Sequence, residues 1–321
     1  LPEGDGPGLA GSGRLMQQLV ILGAGLIGGS VAAAARAKGL AERIIVIDPD
    51  PAQAALRLGL ADEQFESLSA WQASHAASSA ASGSSGTNSQ GSSTTAVVLA
   101  APVPVIARSL ASLADHFQVI SPAWVTELGS TKHAFLEALN GLRGHPAEPA
   151  LRACFVPTHP MAGSEASGAQ AASATLFQGA RILVCDLPEN TPAAVAAVES
   201  FWLSLGGQPT RLPLQDHDAV LAAISHFPHL LAYGLAGLLA HTPVAGLAQT
   251  LHGGGLRDTT RIAASSAGLW ADILLDNRSE LLPLISAWEQ SFGQLSKAVA
   301  DADRPRLVAL LEDAARWRRG F

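Results

Sequence analysis

The chain of 321 residues carries 20 Lys+Arg against 27 Asp+Glu, a formal net charge of -7, which argues against a nucleic-acid binder working through a broad basic face. Hydrophobic residues make up 48% and charged residues 15%, enough apolar side chain for a sizeable core and too much for a chain disordered as a whole. Two domains are expected at this length. The two cysteines, Cys154 and Cys185, stand in short apolar runs without a Cys-x-x-Cys pair and read as core thiols.

Residues 1–16 are rich in glycine and proline and are expected to form a flexible lead-in. They hold no apolar signal-peptide core, and no apolar run reaches the ~18 residues of a membrane span, so the expectation is a cytoplasmic protein without a membrane partner. From 17 to 214 short β-branched runs alternate with Ala/Leu-rich stretches, the pattern of an α/β Rossmann domain, a doubly wound parallel sheet. The strands expected are QLVILG (18–23), RIIVID (43–48), AVVLAAP (96–102) and FQVIS (117–121), then ACFVPT (153–158), ARILVCDL (180–187) and QPTRLPL (208–214). Residues 73–96 are almost entirely small and polar and are expected to be a mobile low-complexity insertion in a surface loop.

From 215 to 321 strand signals disappear and helical spacing continues, which predicts an all-α domain. The stretch HLLAYGLAGLLA (229–240) is apolar nearly all round and needs neighbours on more than one side, so a homodimer is inferred. The basic cluster Arg316, Arg318 and Arg319 reads as a solvated helix end.

The segment GAGLIGGS places Gly23, Gly25 and Gly28 in G-x-G-x-x-G spacing, after a strand and at the opening of a helix, with Asp48 ending the next strand. Gly23 permits the tight turn, Gly25 the close approach of a pyrophosphate, and Gly28 the packing of helix on strand. The helix N-terminus, with Leu26 and Ile27, offers backbone N–H groups to the phosphates. Asp48 suits the ribose hydroxyls and would repel a 2′-phosphate, which favours NAD over NADP. Ala101 and Pro102, after the third strand, complete the cofactor-binding set.

Three further stretches concentrate polar groups: ELGSTK (127–132), expected to open a helix at Ser130; DHDAVLAAISHFPH (216–229), with three histidines; and GGGLRDTTR (253–261). With THPMAGSE (158–165), in which proline stiffens the backbone around His159, and GAGLIGGS, they stand in an order that resembles the prephenate/arogenate dehydrogenase family of tyrosine biosynthesis. The resemblance covers nearly all of the chain from about residue 17 to beyond Trp270. It implies an NAD(P)-dependent oxidative decarboxylation, in which hydride leaves C4 of a cyclohexadienol while the ring loses CO2 and becomes aromatic.

Carried over motif by motif, the resemblance makes His159 the residue that takes the proton of the C4 hydroxyl and Ser130 a hydrogen-bonding partner of that hydroxyl. Arg261 would bind the ring carboxylate, with Asp258 three residues earlier to restrain it. His229 and His217 match substrate-side histidines, and Gly254 a glycine near the substrate side chain. Trp270 matches an aromatic residue supplied to the partner subunit. On a continuous helix its nine-residue separation from Arg261 would set the two on opposite faces, which agrees with that role. Glu127 stands where the family usually has aspartate, a departure that leaves Ser130 in register. His226 and His229 lack a third ligand at useful spacing, so no metal is expected.

Two alternatives remain open at this point. Another two-domain dehydrogenase, of the 3-hydroxyacid or 6-phosphogluconate type, would share the fold but uses a lysine in its helical half, where this chain has only Lys297. A non-enzymatic NAD-sensing module would keep the glycines and Asp48 but has no need of His159, Ser130 and Arg261 together.

Overall fold

The computed structural model describes residues 16–49, 54–81, 95–163 and 168–320, and the chain divides into two compact units, Leu1–Leu214 and Gln215–Phe321. In the first unit β1 (Met16–Leu22), β2 (Ala41–Ile47), β3 (Glu63–Phe65), β4 (Thr95–Leu99) and β5 (Pro122–Glu127) form one sheet in the order β3-β2-β1-β4-β5. Every neighbouring pair is parallel, so the fold is the doubly wound α/β sheet expected. Its central strands are buried runs, Leu19 to Ile21, Ile44 to Val46 and Val97 to Leu99, because helices cover both faces of such a sheet and neither face can alternate with polar residues.

The order reverses between β1 and β4. At such a switch point the connections after adjacent strands leave in opposite directions and open a crevice at the carboxyl ends of the strands. The helix Leu26–Ala37 starts there after β1 and the helix Val103–Asp115 after β4. A second sheet holds β6 (Thr158–Pro160) antiparallel to β7 (Arg181–Val184), which is parallel to β8 (Gln208–Arg211). Phe155 bridges Val125 of β5, and the Val156 N–H donates to the Val125 carbonyl at 2.8 Å. This short run beside β5 delivers His159 near that strand's carboxyl end. The helix Pro192–Ser204, capped by Thr191, adds Phe201 against Trp124 of β5 at 5.0 Å between rings.

Several expectations are corrected. The run 117–121 is a short helix, Phe117–Ile120, that buries Phe117 and Ile120 and ends where Ser121 takes φ +44°; the strand follows at Pro122. An apolar run of that length fits helix and strand patterns equally well. In ACFVPT the helix Glu148–Cys154 takes the first two residues, with Pro149 in its first turn where a missing N–H costs nothing. The edge strand β3, of three residues, is too short to show a period. The low-complexity stretch does not begin as a loop at 73: the helix Leu68–Ala81 runs into it, as its alanines favour, and β4 starts at Thr95. Residues 82–94 of that stretch, and residues 1–15 of the lead-in, lie outside the described residues.

The second unit is all-α among its described residues. The helix Leu214–Leu221, a π-helical turn Ala222–His226 and the helix Phe227–Ala240 run on without a break. By length and composition alone this 27-residue helix, with an 18-residue stretch of mean hydropathy 1.4, is long and apolar enough to cross a membrane. That corrects the expectation of broken apolar segments: the π turn carries the helix through the polar residues that interrupt the run in sequence. Of Phe227–Ala240 only Ala232 is buried within the chain. The helix Arg304–Arg318 buries no side chain, and Arg316 pairs with Asp313 at 3.0 Å, a solvated end as read. Cys154 and Cys185 are buried, as expected of core thiols, and burial pushes the Cys154 thiol up to about 12.

Candidate active site

The three fingerprint glycines meet three different constraints. Gly23 has φ +98°, and a Cβ there would stand 2.7 Å from the Ala100 carbonyl oxygen, so the loop after β1 presses on the end of β4. A Cβ on Gly28 would overlap the Gly23 carbonyl oxygen. At Gly25 a Cβ would meet nothing within 4 Å, which leaves the space in front of the helix open to a ligand. That helix begins at Leu26 with Gly25 as its N-cap, no side-chain cap and no acidic residue in its first turn. The N–H groups of Leu26 and Ile27 thus front an uncapped positive helix end. Asp48, after β2, accepts the Ala24 N–H at 2.7 Å, which anchors its carboxylate against the same loop. Ala101 and Pro102 follow β4, with Pro102 the N-cap of Val103–Asp115. These residues fit a dinucleotide: an open approach, donors for its phosphates and a carboxylate for its ribose.

The ELGSTK turn follows β5 directly. Its helix starts at His133, so Ser130 lies in the turn and does not open the helix as expected. Lys132 and Glu127 are each 1% exposed at the side chain, and their charged ends meet at 2.5 Å. The lysine ammonium donates to the Gly129 carbonyl at 2.8 Å and to the Thr158 carbonyl at 2.9 Å, and Glu127 Oε2 accepts the Gly129 N–H at 2.7 Å. Thr126 and Thr158 share a hydroxyl hydrogen bond at 2.9 Å. Ser130 is half-buried and His159 is 9% exposed. The serine turn and the histidine strand are therefore bonded together beside the carboxyl end of β5.

In the second unit the three histidines sit in different environments. His217, fully buried, meets the Asp218 carboxylate through Nδ1 at 2.6 Å. His226 accepts at Nδ1 from the Asn277 amide at 2.9 Å, and that amide also donates to the Asp218 carbonyl at 2.8 Å. Burial lowers His226 to about 4, an effect that Asp218 opposes and His217 and His229 reinforce. His229 donates from Nδ1 to the Ser225 carbonyl at 2.9 Å, which leaves Nε2 as its acceptor. Burial holds its pKa below the ordinary value; the Ser225 carbonyl opposes this, and the Arg261 cation lowers it further.

Trp270 stacks on His229 of its own chain, ring centres 3.5 Å apart and planes 19° from parallel. The helix assumed between Arg261 and Trp270 is not continuous. Gly254–Thr260 gives way to a 3-10 turn Arg261–Ala264, Ser265 is extended, and Ser266 caps a new helix, Ala267–Asp276. Tyr233 holds the break by donating to the Ser265 carbonyl at 2.7 Å. Asp258 meets Arg257 at 3.1 Å. A cavity of about 490 Å³ is lined by Gln249, His252, Arg257, Thr260 and Arg261 among apolar side chains. Sequence reading missed the Glu127 to Lys132 pair, whose only signal is their shared turn, and Asn277, which lies 51 residues from His226 and carries no signal at all.

Fold and glycine loop together define a dinucleotide-binding protein of the α/β class with a separate helical unit. The chain belongs to the prephenate dehydrogenase family: it is 30% identical over 311 residues to prephenate dehydrogenase of Bacillus subtilis (strain 168), across 96% of this chain and 77% of that one. Residues 72–210 match the family's nucleotide-binding domain and 213–313 its dimerization domain. The continuous helix Leu214–Ala240 thus lies wholly within the dimerization match. Among solved structures, prephenate dehydrogenase from A. aeolicus in complex with hydroxyphenyl propionate and NAD+ is similar with TM-score 0.76 and 28% identity, covering 96% of this chain and 99% of that one. Synechocystis arogenate dehydrogenase is similar with TM-score 0.69 and 25% identity, covering 94% and 99%.

Proposed function

We propose that the protein oxidises prephenate to 4-hydroxyphenylpyruvate, or arogenate to tyrosine, with NAD and with release of CO2. Asp48 beside the glycine loop favours NAD over NADP, because its charge would face a 2′-phosphate. Bound NAD supplies the nicotinamide that accepts the hydride from C4. His159, working in its neutral form, accepts the proton of the C4 hydroxyl, a task suited to imidazole as a side chain, whose unperturbed pKa lies near neutrality. Ser130 hydrogen-bonds the same hydroxyl and keeps it in line with His159. Arg261 holds the ring carboxylate through two parallel N–H bonds, fixing its plane as a lysine cannot. As the carboxylate leaves, its bonding electrons enter the ring, and aromatisation supplies the driving force. His229 and Gly254 bind the rest of the substrate, with Asp258 beside Gly254, while His217, fully buried against Asp218, supports the helix behind them.

The observation that most supports this reading is the bonding of the Ser130 turn to the His159 strand at the carboxyl end of β5, the edge of the sheet that also carries the glycine loop. We further infer a homodimer built on the helical unit, because the apolar helix Phe227–Ala240 buries only Ala232 within its own chain. Trp270 then serves its own chain's His229 first, and any role in a partner's site passes through that stack. A small-molecule oxidation of this kind fits the cytoplasmic location expected from sequence. The test is NADH formation, followed by nicotinamide absorbance, with prephenate and arogenate offered separately. Turnover of either establishes the reaction and the ratio of kcat/KM values gives the preference; no turnover of either, in protein that binds NAD, overturns it.

A further inference from the structure

The two groups assigned to the reacting hydroxyl come from separate pieces of chain, Ser130 from the turn after β5 and His159 from β6. A misplacement of about 1 Å between such groups is enough to cost roughly 100-fold in rate, so their register needs a fixed support. The support present is a buried charge pair. Glu127 accepts the N–H of Gly129 and Lys132 donates to the carbonyl of the same residue, so both backbone groups of the residue that precedes Ser130 are held. The same ammonium reaches the carbonyl of Thr158, the residue before His159.

We propose that Glu127 and Lys132 act as a positioning clamp that sets Ser130 in register with His159, a role that rests on the reading of those two as the hydroxyl-binding pair. The parts suit the task. A buried ion pair adds little stability over an apolar pair of the same volume, so its use here is geometric. An ammonium is compact and directs three donors away from one atom, which matches acceptors at 2.5, 2.8 and 2.9 Å; a planar guanidinium does not. Glutamate, in place of the family's usual aspartate, brings Oε2 over Gly129, where a Cβ would stand 2.8 Å from it. The longer acid and the glycine beside it form one fitted unit.

The test is a double-mutant cycle. Removing one charge alone would strand the other in the core, so the clamp variant is Glu127→Gln with Lys132→Met, which keeps the volume and buries no net charge. It should lower kcat roughly 10- to 100-fold with substrate KM little changed. NAD affinity by calorimetry should stay within about twofold and the urea midpoint close to that of the parent chain. In a Ser130→Ala background the same pair should lower kcat by less than about threefold more, because the group it orients is already absent. Lys132→Arg should not restore the rate. Unchanged kcat in the clamp variant, or losses that multiply fully with Ser130→Ala, would overturn the clamp while leaving Ser130 catalytic. If Ser130→Ala itself leaves kcat unchanged, the underlying reading fails, and the clamp fails with it for that separate reason.

Discussion

His159 is held between a buried threonine and a proline, in a strand paired to β7 with Leu183 opposite it. Its backbone therefore has little freedom, and a change to its ring should act on chemistry before structure. His159→Asn keeps a hydrogen-bonding group of similar reach but cannot take a proton, so kcat should fall roughly 10²- to 10⁴-fold, while NAD affinity measured by calorimetry stays near the parent value. Equal loss of both would assign His159 to folding instead. Arg261 lies close enough to His229 for its charge to depress that imidazole, and it opens a 3-10 turn facing a cavity. Arg261→Ala should raise substrate KM by at least about 10-fold with a smaller effect on kcat, and Arg261→Lys should recover little; an unchanged KM would remove it from the carboxylate site. Ser130, His159 and Arg261 were legible as polar groups in small-residue turns. The bond from Lys132 to Thr158 was not, because it spans 26 residues and no local pattern announces it.

The glycine loop with its helix and the histidine helix show what a period can and cannot reveal. The three glycines were readable because each meets a demand that sequence spacing encodes, and they should separate in experiment. Gly25→Ala places a methyl group in the open approach to the helix, where it touches nothing in the protein; NAD affinity should weaken about 10-fold or more without a change in the unfolding midpoint. A loss of stability as large as the loss of affinity would give Gly25 a packing role. The helix Leu214–Ala240 departs from a fixed 100° per residue at its π turn, and the segment from Arg261 to Trp270 departs from it at Ser265, so a fixed period does not carry across either segment.

The π turn also buries His226 as a neutral ring. Its folded pKa of about 4 lies below the ordinary 6.5, so between those values the unfolded chain binds a proton that the folded chain refuses. Stability from this group is complete above about pH 6.5 and lost as pH falls toward 4, up to about 3 kcal/mol. Urea unfolding of the parent chain should show that slope, and His226→Gln should flatten it; a slope unchanged by the substitution would reject the burial of a neutral His226.

For the whole molecule, the helical unit leaves Leu238 at 67%, Leu247 at 61% and Leu251 at 75% exposed within a single chain. Covering them in a dimer should make sedimentation report twice the monomer mass and raise the Tm with protein concentration; Leu238→Glu should shift the equilibrium toward monomer. A parent chain that sediments as a monomer at micromolar concentration would reject the dimer. The amino-acid sequence by itself determined the class of both units, the nucleotide loop and the family, because those depend on short-range spacing of glycines, apolar residues and turn-forming polar residues. Tertiary structure alone decided where helix gives way to strand at 117–127 and 153–160, that Trp270 returns to His229, and that Glu127 and Lys132 tie the serine turn to the histidine strand. Those outcomes rest on buried contacts between residues far apart in the chain, whose energies depend on desolvation and packing that no local window contains.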